Sequence, residues 1–232
     1  RKFFSVKLRL ICMIIDQKFR QRWHAYYSQK RIIHQWLQVE LLKSLDVKNV
    51  LEIGPYLGLV TAMLGSAGYS VTTLDIDSVS PSIGAKSHIK GDITNVPIEK
   101  LTGFDVIICC EMLEHITWPN VDNVLKRLSE TGVPWLILSV PYEGFQFGFT
   151  LYLNRYKIRR SSFFRKLRFL KKYRVSGDLD KWEPHKWEIG YRGYSLKILC
   201  KKISSAGYTV ERKEFTSGCR SVFLVCHNKR NI

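Results

Sequence analysis

The spacing of hydrophobic positions changes near Val47 and divides the chain into two regions. Between residues 18 and 45, apolar side chains recur at near-helical intervals with basic residues between them, a pattern typical of amphipathic helices. After Val47, short β-rich apolar runs alternate with helical stretches. The pattern predicts one or two N-terminal helices in a basic segment of residues 1–46, followed by a single α/β domain of residues 47–232.

Strand and helix candidates alternate through most of the second region. We predict strands at Asn49–Ile53, Ser70–Leu74, Phe104–Cys110, Trp135–Val140, Tyr208–Lys213 and Ser221–Cys226, with a shorter one near His88–Lys90. We predict helices at Leu59–Ala67, Asn120–Thr131 and Leu196–Ala206. Each helix that joins two parallel strands must pack back onto the sheet, so this order predicts a doubly wound, mostly parallel sheet. The link between the last two strands has hairpin length, which predicts an antiparallel edge strand.

The basic charge of the chain is concentrated in two segments. Residues 1–34 hold nine Lys and Arg residues and one acidic residue, and residues 144–177 hold ten Lys and Arg residues and no acidic residue. Because the formal net charge is +17, the remainder of the protein is close to neutral. Positive charge concentrated in this way favours anionic partners.

The second basic segment lies in an insertion at about residues 143–184, which is too long and too aromatic for a simple connection. Ser161 and Ser162 predict a helix N-cap. The apolar face of this basic helix would consist of Phe163, Phe164, Leu167, Leu170 and Tyr173. Such a helix suits an anionic membrane surface or a lid over an anionic substrate. Two alternatives are RNA binding and a helix packed on the core with its charges in solvent.

Membrane insertion and secretion find little support in the sequence. The early apolar run at residues 10–15 has six residues, whereas a membrane-spanning helix needs roughly twenty. The chain begins with Arg1, so its first residues give no information about a targeting segment. The six cysteines show no C-x-x-C spacing, which argues against a zinc site or a disulfide framework. We expect a cytoplasmic protein without a transmembrane helix, and peripheral membrane contact stays open.

Polar and glycine-containing runs follow four successive strand candidates. They are Glu52–Gly58, Asp75–Asp77, Gly91–Ile93 and Glu111–Ile116. A glycine turn after the first strand lets a nucleoside lie against the strand end and the helix start. An acidic residue about twenty positions later can accept hydrogen bonds from ribose hydroxyls. The runs therefore predict a nucleoside site at one edge of the sheet.

Taken in order, these runs resemble the class I S-adenosylmethionine-dependent methyltransferases, in particular the group with E-x-G-x-x-x-G, D-x-D, G-D and E-x-L-E-H signatures. The resemblance covers about residues 47–141 and resumes at residues 185–226. It implies a Rossmann-like, seven-stranded methyltransferase fold, S-adenosylmethionine as the cofactor and methyltransferase activity. The alternative nucleotide-binding signatures G-x-G-x-x-G and G-x-x-x-x-G-K-[ST] do not occur in the sequence.

The resemblance also implies a cofactor site. Its residues would be Glu52, Gly54, Tyr56, Gly58, Asp75, Ile76, Asp92, Ile93 and Glu111. Gly54 and Gly58 would line the methionine end of the cofactor, with Glu52 reaching its amino group. Asp75 would hold the ribose, and Asp92 with the following backbone would face the adenine. A buried structural role is the alternative for Glu52.

At this site Tyr56 departs from the family pattern, and Asp77 is an alternative to Asp75. The family often has a third glycine where Tyr56 stands, so the turn must approach the ligand with a bulkier residue or bend differently. Asp75 is preferred over Asp77 because it stands at the strand end, which leaves Asp77 as a solvated loop residue.

Methyl transfer from a sulfonium depends mainly on placing the acceptor in line, and a base is needed only if the nucleophile carries a proton. Candidate bases lie beyond the carboxyl ends of the central strands. We favour His185 first and His115 second, because imidazole titrates near neutrality, with Glu111 as a third candidate. Alternatively, Glu114 and His115 cap the loop, and His185 belongs to a structural return from the insertion. No metal site is predicted.

The acceptor is only partly constrained by the sequence. Methyltransferases that act on exocyclic amines of bases commonly carry [DNS]-P-P-[FYW] after the fourth strand, where this chain has Cys110-Glu111-Met112-Leu113. We therefore favour a small or lipid-linked acceptor, such as a sugar hydroxyl or a carboxyl group, near an anionic membrane. The alternatives are an RNA methyltransferase and a non-catalytic binding module with the same fold. The sequence does not indicate an oligomeric state.

Overall fold

The structure is a computed structural model that describes residues 17–76, 83–165, 168–178, 181, 184–216 and 220–231. Its α-helices are α1 (Gln17–Tyr26), α2 (Gln29–Leu42), α3 (Leu59–Ser66), α4 (Val121–Glu130) and α5 (Leu196–Ser205). Its strands are β1 (Asn49–Ile53), β2 (Ser70–Asp75), β3 (Ala85–Lys90), β4 (Val106–Cys110), β5 (Trp135–Pro141), β6 (Gln146–Asn154), β7 (Lys157–Arg165), β8 (Tyr208–Phe215) and β9 (Ser221–Asn228). The strands of the sheet and the helices predicted between them are confirmed, and the described part of the N-terminal segment contains two helices.

Seven strands form one sheet in the order β3-β2-β1-β4-β5-β9-β8. Strands β1 to β5 are parallel to one another, with Val50 of β1 opposite Val71 on one side and Val106 on the other. Strand β9 runs antiparallel to both β5 and β8. The antiparallel strand is therefore confirmed, and it lies one position in from the edge of the sheet.

The sheet is covered on both faces, as a doubly wound sheet requires. On one face, Leu41 and Leu42 of α2 join Val60 of α3 over the central strands. On the other face, side chains of α4 and α5, among them Leu125 and Leu199, form the second core. Central strands buried on both faces read as continuous apolar runs, which explains the pattern from which they were predicted.

The insertion folds as a β-hairpin, which corrects the predicted basic helix. Strand β6 pairs antiparallel with β7 in a separate two-stranded sheet. Phe147, Phe149, Leu151 and Leu153 alternate with other residues along β6, and this period of two is that of a strand. Ser161, the predicted N-cap, lies in β7, and residues 168–176 have no helical structure. Leu167 of the predicted apolar face lies outside the described residues.

Local hydrogen bonds fix the turn and the base of the hairpin. The side-chain oxygen of Asn154 accepts the backbone N–H groups of Tyr156 at 2.9 Å and Lys157 at 2.6 Å, which closes the turn. At the base, the buried carboxylate of Glu143 pairs with the guanidinium groups of Arg168 and Arg220. No helix within the described residues is both long and apolar enough to span a membrane.

Candidate active site

The parallel strands bring the predicted site residues to one edge of the sheet. Gly54 follows β1, Asp75 ends β2, Asp92 follows β3 and Glu111 follows β4. The carboxyl ends of parallel strands are where ligands bind in open α/β sheets. This edge is therefore the candidate site, although the role of each residue stays a prediction.

The turn after β1 has a backbone that favours glycine at two positions. Gly54 has φ +71° and Gly58 has φ +76°, and both values lie in the left-handed region that residues with a Cβ adopt at a cost. Gly58 is the N-cap of α3. The backbone of this turn consequently comes close to any ligand placed at the start of α3.

Glu52 is a buried carboxylate beneath that turn. Its Oε2 accepts a hydrogen bond of 2.6 Å from the hydroxyl of Thr61. Burial raises the pKa of Glu52 to about 7, and the Thr61 hydrogen bond opposes the rise. A cationic group placed beside Glu52 would favour its ionised form.

Tyr56 adopts the left-handed backbone that a glycine would have, with φ +51°. Its ring lies 4.6 Å from the ring of Tyr26, measured between centroids, and 57% of its surface stays exposed. The guanidinium group of Arg31 lies 4.1 Å from the centre of the Tyr26 ring. The tyrosine that replaces the family glycine therefore contacts the N-terminal helices.

The acidic residues at the next two strand ends differ in their contacts. Asp75 is half-buried, and its backbone oxygen accepts the N–H of Gly91. Asp92 Oδ1 accepts the N–H of Thr94 at 2.8 Å, so this carboxylate also shapes its own turn. The neighbouring hydrophobic positions differ as well, because Ile93 is buried in the core and Ile76 is 39% exposed. Asp77 lies outside the described residues.

Glu111 has an unusual backbone conformation, with φ +52°. Its N–H donates to the backbone oxygen of Ser139 at 3.0 Å, and its Oε1 accepts the Ser139 hydroxyl at 2.9 Å. Non-glycine residues held at positive φ cluster at functional sites. The β4 strand end is therefore held in a specific shape by the neighbouring strand β5.

Two histidines from distant parts of the chain meet beside this edge. The rings of His115 and His185 lie 5.0 Å apart at nearly a right angle. The Nδ1 atom of His185 lies 3.1 Å from Oε1 of Glu188. A carboxylate that accepts the Nδ1 proton fixes the tautomer in which Nε2 accepts protons.

A buried glutamate completes this cluster. Glu114 is fully buried, and neither carboxylate oxygen has a hydrogen-bond partner among the described residues. Burial raises its pKa well above the usual range, and the nearby Glu111 carboxylate adds to the rise. One potential ligand atom from each of Glu114, His115 and His185 lies within 4.8 Å of the others. Imidazole nitrogens with a carboxylate are a donor set that divalent transition metals accept.

The return from the insertion is fixed against the loop after β4. The N–H of Lys186 donates to the backbone oxygen of Glu114 at 2.7 Å. The indole N–H of Trp187 donates to the backbone oxygen of Ile116 at 2.9 Å, and its ring is fully buried. These two contacts hold His185 next to His115.

A match to a protein family identifies the kind of protein to which this candidate site belongs. A family model described as a methyltransferase domain matches residues 22–165. The chain belongs to the methyltransferase family. The family and the methyltransferase type of fold that the motifs implied are thereby confirmed.

Individual relatives of this methyltransferase agree with the family match. A ubiquinone biosynthesis O-methyltransferase from Bordetella parapertussis is 33% identical over 136 residues, which cover 51% of this chain and 55% of that protein. The chain spans about half the length of the curated relatives that it matches.

Solved structures share the fold of the methyltransferase. Magnesium protoporphyrin IX methyltransferase from Synechocystis superimposes with a TM-score of 0.58 at 15% identity, covering 95% of this chain and 99% of that one. The 1,6-didemethyltoxoflavin-N1-methyltransferase of Burkholderia thailandensis gives 0.56 at 16% identity, covering 98% and 89%.

Several residues next to the candidate site were not predicted from the sequence. Tyr26 reaches it from the N-terminal helices, where its ring lies against that of Tyr56. His34 is a buried residue of the second N-terminal helix; burial lowers its pKa, and the Glu111 carboxylate opposes this shift. Ser139 and Glu188 approach from β5 and from the return segment. These residues follow no strand-end glycine or acidic signature, so only tertiary structure identifies them.

Proposed function

We propose that this methyltransferase transfers a methyl group from S-adenosylmethionine to a hydroxyl group of a small or lipid-linked acceptor. The observation that carries the proposal is the cluster of His185, Glu188, His115 and Glu114 beside the cofactor edge. A hydroxyl nucleophile must lose its proton, and these groups can accept or stabilise that charge. The O-methyltransferase relatives support an oxygen acceptor.

The residues at the strand ends fit the cofactor. The left-handed Gly54 and Gly58 leave room for a ligand against the backbone, and the buried Glu52 can pair with the amino group of its methionine part. We assign Asp75 to the ribose hydroxyls and Asp92 to the adenine. The bound cofactor supplies a methyl group already activated on a positively charged sulfur, so the protein has mainly to orient the acceptor.

His185 is the proposed general base. Its Nδ1 bonds to Glu188, and this contact orients the ring and stabilises the imidazolium that forms when Nε2 takes the acceptor proton. His115 packs edge-on against the ring of His185 and limits its rotation.

Binding of a divalent cation is a second candidate role of this cluster, and one observation favours it. The buried carboxylate of Glu114 lacks hydrogen-bond partners within the described residues, and His115 and His185 offer ring nitrogens nearby. A cation held there would lower the pKa of a coordinated acceptor hydroxyl.

A pocket beside the return from the insertion, where Tyr194 lies near Trp187, suits a small acceptor. The pocket has a volume of about 360 Å³ and is lined by Lys172, Tyr173, Arg192 and Tyr194. Burial raises the pKa of Tyr173, and the Glu188 carboxylate adds to the rise, so Tyr173 lies within electrostatic reach of the partner of His185. Two aromatic rings and two cationic side chains favour an aromatic acceptor with an anionic substituent.

Calorimetric titration with S-adenosylmethionine tests the cofactor assignment. We expect Asp75→Ala to weaken binding by about 10- to 100-fold, because hydrogen bonds to a charged group contribute roughly 1.5 to 3 kcal/mol. The matched control is Asp46→Ala. Asp46 is exposed and lies before the amino-terminal end of β1, so this variant should bind the cofactor as the parent does. Equal affinities for the parent and Asp75→Ala would remove Asp75 from the site.

A further inference from the structure

The hairpin of β6 and β7 stands apart from the rest of the described structure. From Phe149 to Ser162 every residue is exposed to solvent. Its strands pair with each other and not with the seven-stranded sheet. Isolated two-stranded hairpins are at best marginally stable in water, so a surface that covers one of its faces would stabilise it.

One face of the hairpin is mostly apolar, with Arg160 and Ser162 as the polar residues on it. The cross-strand pairs Phe147 with Phe164 and Leu153 with Ile158 lie directly opposite each other, and opposite residues share a face of the sheet. Phe149 and Leu151 belong to the same face by alternation. Each of these apolar side chains is at least 52% exposed, and exposure reaches 75% at Ile158 and 88% at Tyr156 in the turn. The largest apolar exposure is therefore at the tip.

The hairpin is also strongly basic. Residues 146–165 contain five Lys and Arg residues and no Asp or Glu. Arg155 lies in the turn, and Lys157 and Arg159 alternate onto the face opposite the apolar one. Their long apolar stems allow the charged ends to reach outward past neighbouring apolar side chains.

We propose that this hairpin docks the protein onto an anionic lipid bilayer. Its tip enters the headgroup boundary with the side chains of Leu153, Tyr156 and Ile158. Arg155 in the turn, with Lys157 and Arg159 next to it in sequence, contacts lipid phosphates. Apolar burial together with basic residues is the combination that binds peripheral proteins to anionic membranes. Charge complementarity thus selects a negatively charged surface.

Charge and side-chain chemistry disfavour other occupants of this face. A second copy of the chain would bring two hairpins of the same positive charge together, which like-charge repulsion opposes. Single-stranded RNA binds where bases stack on aromatic rings beside cations. On the outer half of this face Leu151, Leu153 and Ile158 accompany Arg160, so the cation there has aliphatic neighbours and no aromatic ring for a base.

The position of the hairpin links docking to the site. The chain enters β6 shortly after the carboxyl end of β5, which lies at the same edge as Glu111. Each strand has nine residues, so the hairpin is about 30 Å long. Docking would turn the candidate site toward the bilayer. This last step rests on the proposed function, whereas vesicle binding does not.

Sedimentation with extruded vesicles tests the proposal with the full chain. We expect binding to phosphatidylcholine vesicles that contain 30% phosphatidylglycerol at low salt, and at least tenfold weaker binding to pure phosphatidylcholine. The apolar variant L153S/I158S and the charge variant R155Q/K157Q/R159Q should each bind anionic vesicles at least tenfold more weakly. All five positions are exposed, so circular dichroism and thermal unfolding should match the parent.

The matched control is the triple variant K86Q/K126Q/K213Q. It removes the same charge from exposed sites outside the hairpin and should retain at least half of the parent's binding. The proposal is overturned if the parent ignores anionic vesicles, if both hairpin variants bind as the parent does, or if the control loses as much as the charge variant. Retention of vesicle binding by Asp75→Ala separates docking from cofactor binding.

An RNA partner or a second copy would give different results. RNA binding that competes with vesicles and depends on the charge variant but not on L153S/I158S would assign the hairpin to nucleic acid and overturn membrane docking. A dimer in light scattering that dissociates in L153S/I158S, without vesicle binding by the parent, would assign it to self-association.

Discussion

Glu52 shows how a single buried carboxylate can couple the site to pH. Burial raises its pKa from 4.5 to about 7, which corresponds to about 3 kcal/mol of penalty on the ionised form. Because the folded pKa exceeds the unfolded one, the contribution of Glu52 to stability is fully present below pH 4.5 and is lost as pH rises through about 7. Relative to Glu52→Gln, the parent should lose stability over this range.

The same residue predicts a pH dependence of cofactor affinity. Pairing with the amino group of the cofactor needs ionised Glu52, so the dissociation constant of the parent should rise as pH falls below about 7, by at most roughly tenfold per pH unit. Glu52→Gln should bind more weakly at pH 8 and show a flat profile between pH 6 and 8. Calorimetry over this range checks it, and an unchanged slope in Glu52→Gln would exclude Glu52 as the titrating group.

At the scale of elements, the sequence predicts those helices and strands whose hydrophobic periodicity agrees with their burial in the folded protein. Strands β1, β4 and β5 are largely buried on both faces and mostly apolar, and α4 carries one apolar face, so their patterns are unambiguous. The insertion differs because its sequence fits two patterns. The run Ser161-Ser162-Phe163-Phe164 is compatible with the start of a helix and also with a strand. The pairing of β7 with β6 decides between them, and cross-strand pairing is not a local property of the sequence.

A serine that caps a helix can be distinguished by mutation from a serine in a strand. The hydroxyl of Ser195 accepts the N–H of Ile198 at 3.2 Å and caps α5, so Ser195→Ala should lower the free energy of unfolding by about 1 kcal/mol. Ser161 lies exposed in β7, and Ser161→Ala should change it by less than about 0.5 kcal/mol. Urea unfolding measures both. A loss of about 1 kcal/mol in Ser161→Ala would instead support a helix there.

At the scale of the whole molecule, the candidate site joins segments that are far apart in sequence. The strand-end acids could be predicted because a parallel sheet brings its carboxyl ends together. The contact between His115 and His185 could not, because it depends on Trp187 and Lys186 docking against the loop after β4. The same applies to Tyr26, which reaches Tyr56 from the N-terminal helices.

This long-range cluster predicts the effect of removing one of its members. His185→Ala should lower kcat by about 10²- to 10⁴-fold, as expected for loss of a general base, with the affinity for S-adenosylmethionine unchanged. Transfer of a labelled methyl group to a phenolic acceptor measures kcat. Activity that survives EDTA indicates a base alone, and activity lost to EDTA but restored by Mg²⁺ or Mn²⁺ indicates a cation. Normal turnover in His185→Ala would rule out both roles for this residue.

The place of β9 between β5 and β8 has a consequence for synthesis of the protein. During translation the N-terminal part of a chain can fold first, and here β1 to β5 can assemble while β9 is still missing. Until Ser221–Asn228 arrive, the side of β5 that β9 later covers has unpaired backbone groups along its whole length, and open apolar strand edges recruit other chains. Nascent or prematurely terminated chains should therefore aggregate readily and depend on chaperones.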